Sequence, residues 1–222
     1  HNFHVYMPIF AGIGAFLSTF HQGSLGGMYG VLFGRPYLFR EGFFIWPWTF
    51  FLFTLSAVAC GPMFTVLICT LMEKITGRKL VSWEVKQLMG KIGCTMLLVY
   101  TVFKCLDSFT WAYSLLPKEG LTFDQVFYGL IYGKWMFWLE HALLIIPLIV
   151  LLIKPLRQCK CLFYLMLFAV CCSITLNRYV LTVQGIAFPV LPFDRWYEYA
   201  PNWAEWASSI LVISYAAMVL SL

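Results

Sequence analysis

Apolar residues in this chain come in long, nearly uninterrupted blocks. Six stand out, at residues 4–20, 44–72, 90–115, 134–153, 161–183 and 203–222. A hydrocarbon layer about 30 Å thick takes about 20 helical residues to cross. Each block therefore predicts a membrane-spanning α-helix, A to F in chain order. Helix B is longer than a span needs, which predicts a tilt or an interfacial end. Gly61-Pro62 predicts a kink in helix B and Pro147 one in helix D, since proline removes a backbone donor and crowds the preceding turn. No repeat of fixed period and no low-complexity linker divides the chain, so residues 1–222 read as one domain.

Composition supports the same picture. Of 222 residues, 61% are hydrophobic and 11% charged, against about 25% charged in soluble domains. A core of this size cannot absorb so much apolar surface, so lipid is the expected solvent. The fold class is an all-α integral membrane protein of about six spans. The net charge of +5 does not point to nucleic acid, because basic excess in a membrane protein marks cytoplasmic loops. The chain opens at His1 without a secretory leader and enters its first span almost at once. That start suggests a piece of a longer membrane protein.

Loop charge orients the spans. Loops B–C and D–E hold Lys74, Arg78, Lys79, Lys86, Lys91, Lys154, Arg157 and Lys160; the other three loops hold Arg35, Arg40, Lys118, Lys134 and Arg195. The positive-inside rule places B–C and D–E in the cytoplasm. Aromatic clusters at 43–51, 135–138 and 196–206 then fall at the outer interface, where amphipathic rings belong.

Ionisable residues inside the blocks are costly, at about 2.5–3.5 kcal/mol each near a helix centre on insertion scales. On this topology they gather in the outer half. Lys104 and Asp107 are three apart on helix C and share a face with Tyr100 and Trp111. Glu140 and His141 lie about two turns into helix D. Asn177, Arg178 and Gln184 approach the outer end of helix E. His21 closes helix A, ahead of a glycine-rich turn over 21–27. Each has two readings. Lys104 and Asp107 form a self-neutralising pair or a proton relay. Glu140 is a proton acceptor or an ion-pair partner of Arg178, and Arg178 is a clamp or a contact to an anion or carbonyl. His141 reads as structural; His21 is an interface anchor or a proton-transfer group.

Other chemistries find little support. The eight cysteines fall mostly in apolar runs, without haem-attachment or ferredoxin spacing, and read as packing residues. Cys159-x-Cys161 is a weak metal or redox alternative. His21 and His141 are the one conceivable pair of haem ligands. No metal, haem or iron–sulfur cluster is expected in this chain. No P-loop, H-E-x-x-H or serine–histidine–acid pattern is present.

His21-Gln22-Gly23-Ser24-Leu25-Gly26 resembles the H-Q-[SG]-S-[LM]-G segment of the NrfD/HybB superfamily, the membrane subunits of polysulfide-reductase-type and hydrogenase-type respiratory complexes. Met136-Phe137-Trp138-Leu139-Glu140 resembles that family's M-F-W-[IL]-E helix. Asn177-Arg178-Tyr179 and Pro201-x-Trp203-x-Glu205 also fit. Asn177–Gln184 followed by Pro189–Asp194 looks closest to the DsrP/HmcC branch of sulfur and sulfate metabolism. The resemblance spans nearly the whole chain.

That resemblance implies a quinone-interacting subunit of a prokaryotic cytoplasmic-membrane redox complex, multi-pass and not active alone. It implies menaquinone as bound substrate and electron exchange with a periplasmic ferredoxin-like iron–sulfur subunit, a cytochrome or other membrane redox subunits. It also implies further helices ahead of this segment, making the segment the C-terminal part of a larger bundle. His21, Glu140 and Asp107 are then the candidate proton-handling residues. His21, Arg178, Tyr179, Trp138, Trp111 and Lys104 are the candidate quinone contacts. A transporter or channel, or a purely structural membrane anchor, is the alternative.

Overall fold

The computed structural model describes residues 3–32, 48–118, 120, 122–127, 134–187 and 199–221. Arg35, Arg40, the Pro189–Asp194 stretch, Arg195 and the side chain of Gln184 lie outside the described residues. The described chain is helical: α1 (Phe3–Leu32), α2 (Trp48–Thr76), α3 (Trp83–Thr110), a π-helical turn (Trp111–Leu115), α4 (Leu116–Lys118), α5 (Phe123–Val126), α6 (Trp135–Leu152), α7 (Lys154–Gln158), α8 (Lys160–Ala187) and α9 (Trp203–Ser221).

Four of these helices pack around one core. Leu52, Ala59, Met63 and Val66 of α2 meet Cys94, Leu97 and Tyr100 of α3, Leu144, Leu148 and Leu151 of α6, and Phe163, Met166, Leu167 and Val170 of α8. Outward from this layer the same helices expose Phe64, Leu71, Leu106, Ile146, Ile149, Leu165 and Phe168. Large apolar side chains on the outside as well as the inside are what a bundle in lipid requires.

Two tight corners close one end of the bundle. Glu73, in the last turn of α2, accepts from the amides of Leu80 (3.0 Å) and Val81 (2.8 Å) and is ion-paired with the buried Lys86. Ser82 caps α3 by accepting from the Val85 amide. At the second corner Arg157 donates to the Leu151 carbonyl at 2.8 Å, one of the carbonyls left open where α6 ends. Lys160 stands over the Trp83 ring at 5.5 Å and ties the two corners together.

The span count differs from expectation. Among the described residues four helices, not six, are long and apolar enough to cross a membrane: Thr49–Thr76, Trp83–Lys118, Trp135–Leu152 and Lys160–Thr182. The side chains described in the other two long helices cover only residues 6–27 of α1 and part of α9. With four such helices around one core, the chain is an all-α membrane protein, as its composition indicated.

The glycine-rich turn after His21 is not a turn. Residues 21–27 lie inside α1, which runs to Leu32. The reason is packing. A Cβ on Gly26 would stand 2.5 Å from the Thr49 carbonyl oxygen and 2.8 Å from the Phe50 Cα; one on Gly23 would overlap the Phe50 ring. These glycines let the backbones of α1 and α2 approach, as small residues do at helix contacts in membranes. Helices B and D likewise continue through Pro62 and Pro147. Helix C begins seven residues earlier than expected, at Trp83.

Candidate functional site

The charged residues meet away from the two corners. Lys104 comes from the last two turns of α3, Glu140 from the second turn of α6, Asn177 and Arg178 from the later half of α8. Lys104 Nζ lies 3.2 Å from Glu140 Oε1, and Asn177 Nδ2 donates to the same oxygen at 2.9 Å. Lys104 and Glu140 are 3% and 2% exposed, so this is a fully enclosed pair. Asn177 Oδ1 in turn accepts from Arg178 at 3.2 Å. Arg178 donates to Ser56 Oγ at 2.6 Å and to the Phe53 carbonyl at 3.3 Å, with its guanidinium 3.2 Å from the centre of the Phe53 ring. Ser173 Oγ donates to the Glu140 carbonyl at 2.8 Å. One polar chain thus links α3, α6, α8 and α2 through their common interior.

Glu140 therefore takes Lys104, not Arg178, as its ion-pair partner; Asn177 stands between the two. Asp107 is buried on α3, three residues beyond Lys104. The π-helical turn follows and carries Trp111 into an aromatic cluster with Leu116, Phe127, Phe137 and Val180, against which Tyr179 packs. His21 does not join the network. It is exposed on α1, while Gly23 and Gly26 of the same helix face α2.

A groove of about 850 Å³ lies beside the network, between the last turns of α3 with the π-helical turn that follows and residues 137–146 of α6. Cys105, Phe109, Tyr113, Phe137, Ala142, Ile145 and Ile146 supply much of its apolar lining, with Phe123 of α5 closing one end and Trp138 at the rim. Phe109 and Trp138 are 64% and 54% exposed, so the groove opens on the outer face of the bundle. Its buried polar groups are Ser108 and His141. His141 Nδ1 is 2.8 Å from the Phe137 carbonyl and Nε2 is 3.4 Å from Ser108 Oγ. The Phe137 ring packs against the imidazole at 4.2 Å between centres, tilted by 40°.

Of the quinone contacts expected from sequence, Trp138 lines this groove. Trp111 stands one ring behind it, 6.1 Å from Phe123. Lys104 and Glu140 adjoin it through the neighbouring positions on α3 and α6. Arg178, Tyr179 and His21 do not line it. Of the groove's two buried polar residues, His141 reads from sequence as structural and Ser108 was not singled out. The available signal was spacing: Ser108 follows Lys104 by one helical turn, on the face already identified.

Sequence comparison adds two relatives. Over all of its length the chain is 67% identical to the menaquinone reductase integral membrane subunit of Nitratidesulfovibrio vulgaris, covering 54% of that protein. It is 25% identical over 99% of its length to a selenate reductase subunit of Mesobacillus selenatarsenatis, covering 51% of that protein. The chain thus spans about half the length of the curated relatives it matches. No family profile and no solved structure matches it. Both relatives are bacterial reductase subunits by name, and the first is named as integral to the membrane. These likenesses agree with a multi-pass protein of a prokaryotic membrane.

Proposed function

We propose that this chain is the quinone-handling part of a membrane redox subunit, and that menaquinone binds in the groove between α3 and α6. The groove itself carries the reading. It opens toward lipid, where an isoprenoid quinone resides, and its volume of about 850 Å³ lies in the range of small-molecule sites. Its lining is apolar and aromatic, with two polar side chains set where a ring oxygen would reach. Trp138 at the rim and Phe109 and Phe137 on the walls suit a flat bicyclic ring.

Reducing a quinone to its hydroquinone takes two electrons and two protons. The electrons would come from a ferredoxin-like iron–sulfur or cytochrome partner at the face opposite the two corners. His141 and Ser108 reach the ring oxygens. The enclosed Lys104–Glu140 pair and Asp107 lie behind them as groups that can hold and pass protons. Arg178 acts as a strut between α8 and α2, keeping Asn177 aimed at Glu140. Similarity to a menaquinone reductase integral membrane subunit supports menaquinone as the substrate; a DsrP/HmcC-type complex of sulfur or sulfate metabolism as the setting rests on the sequence pattern at Asn177–Gln184 and Pro189–Asp194 alone.

Photolabelling tests this. An azido-naphthoquinone irradiated with the intact complex in native membranes should label peptides within residues 105–113 and 137–146, saturably and in competition with a naphthoquinone analogue. Labelling confined to other chains, or spread without saturation, would leave this segment a passive anchor.

A further inference from the structure

The hydrogen-bond polarity of the groove selects one redox form of its ligand. The Phe137 carbonyl can only accept, so its 2.8 Å bond to His141 places the ring proton on Nδ1. A neutral imidazole protonated on Nδ1 offers a lone pair at Nε2, and Nε2 lies 3.4 Å from the hydroxyl of Ser108, which lines the groove with it. When the Ser108 hydroxyl spends its proton on Nε2, its oxygen is left to a ligand as an acceptor and not as a donor. The buried polar wall therefore presents acceptors. The side chains that can donate to a quinone carbonyl, Tyr113 and Trp138, stand at the open rim, 74% and 54% exposed.

We infer that the groove binds the hydroquinone, whose hydroxyl donates to Ser108 Oγ while His141 Nε2 holds the Ser108 proton, more tightly than the quinone, whose carbonyl oxygen would meet the Ser108 lone pairs unfavourably. This inference rests on the groove being the quinone site. It concerns binding alone and transfers no electrons. Its consequence is thermodynamic. A site that holds the reduced form tenfold more tightly raises the midpoint of the bound two-electron couple by about 30 mV. Quinone entering from the membrane is then easier to reduce in the groove than in lipid.

A redox-inert pair of probes separates the two readings: 2-methyl-1-naphthol, which donates through its hydroxyl, and its methyl ether, which cannot. Both are titrated as competitors of azido-naphthoquinone labelling in the intact complex. The naphthol should compete roughly tenfold better, the scale of one buried hydrogen bond. In His141→Asn the amide nitrogen can still reach the Phe137 carbonyl but nothing at Nε2 holds the Ser108 proton, which is then free to turn to a ligand acceptor, and the ratio should fall to about one. In His141→Gln the amide oxygen can stand in for Nε2, and the preference should return in part. If both probes compete equally in the wild type, or the ratio survives in His141→Asn, the donor preference is overturned while the quinone site stands. If neither probe competes, the site itself is overturned. Should His141→Asn not assemble, the wild-type ratio and His141→Gln decide.

Discussion

At the scale of single residues, the buried ion pair is the most exposed to test. Lys104 and Glu140 are enclosed and share Asn177 as a third partner. Removing one charge strands the other, which in buried pairs costs about 3–5 kcal/mol, whereas replacing both by neutral groups of similar shape is far milder. Lys104→Met should therefore lower the thermal unfolding midpoint of the detergent-solubilised complex markedly. Lys104→Met with Glu140→Gln should recover most of that loss. A single variant as stable as the wild type would show that the pair carries no such weight. Turnover separates structure from chemistry. Glu140→Gln keeps an acceptor for Asn177 but cannot take up a proton, so menaquinone reduction should fall while assembly persists; unchanged turnover would remove Glu140 from the proton path. The sequence showed which residues are charged, and their depth suggested that they meet. It did not show the pairing. Spacing within a helix reports only intrahelical neighbours, which favoured Lys104 with Asp107. Which residue of α6 or α8 faces Lys104 depends on the rotation of three helices about their own axes.

At the scale of elements, the helices were legible and their ends were not. Hydropathy located α2, α3, α6 and α8 because hydrocarbon length imposes a minimum block. The glycine-rich segment of α1 was misread because glycine breaks helices in water, where solvent competes for the backbone. Against a neighbouring helix in lipid, the same residues let two backbones close in. Gly26→Leu tests this. Its side chain would meet the backbone of Thr49 and Phe50, which cannot rotate away. The α1–α2 contact should open, and α1 should become susceptible to proteolysis or lose cross-linking to α2. Full protection of α1 in the variant would contradict the close approach. The start of α9 gives a smaller effect. Asn202 Oδ1 accepts from the Glu205 amide at 3.0 Å, and Glu205 Oε2 accepts from the Asn202 amide at 2.7 Å, a reciprocal cap that Tyr199 supports with a 2.6 Å bond to Glu205. Asn202→Ala should cost about 1 kcal/mol, read as earlier exchange of the amides of the first turn.

At the scale of the whole molecule, the two corners and the polar network occupy opposite ends of the four-helix bundle. Sidedness therefore decides which aqueous phase the groove serves. The basic residues of the corners argue for the cytoplasm there, even though Lys86 is consumed internally by Glu73, because Lys74, Arg78, Lys79, Lys154 and Arg157 remain. The groove and the Lys104–Glu140 pair then lie near the outer face, within reach of a partner docked outside. The chain carries its own probes for this arrangement. Cys159 and Cys161 are exposed at the corner between α7 and α8, while Lys118 is exposed at the opposite end, beyond the π-helical turn. A membrane-impermeant maleimide applied to intact spheroplasts should leave Cys159 and Cys161 unmodified and should modify a cysteine placed by Lys118→Cys. Permeabilisation should open both native thiols to labelling. The reverse pattern would turn the bundle over, set the groove against the cytoplasmic face, and require the electron partner to dock from inside.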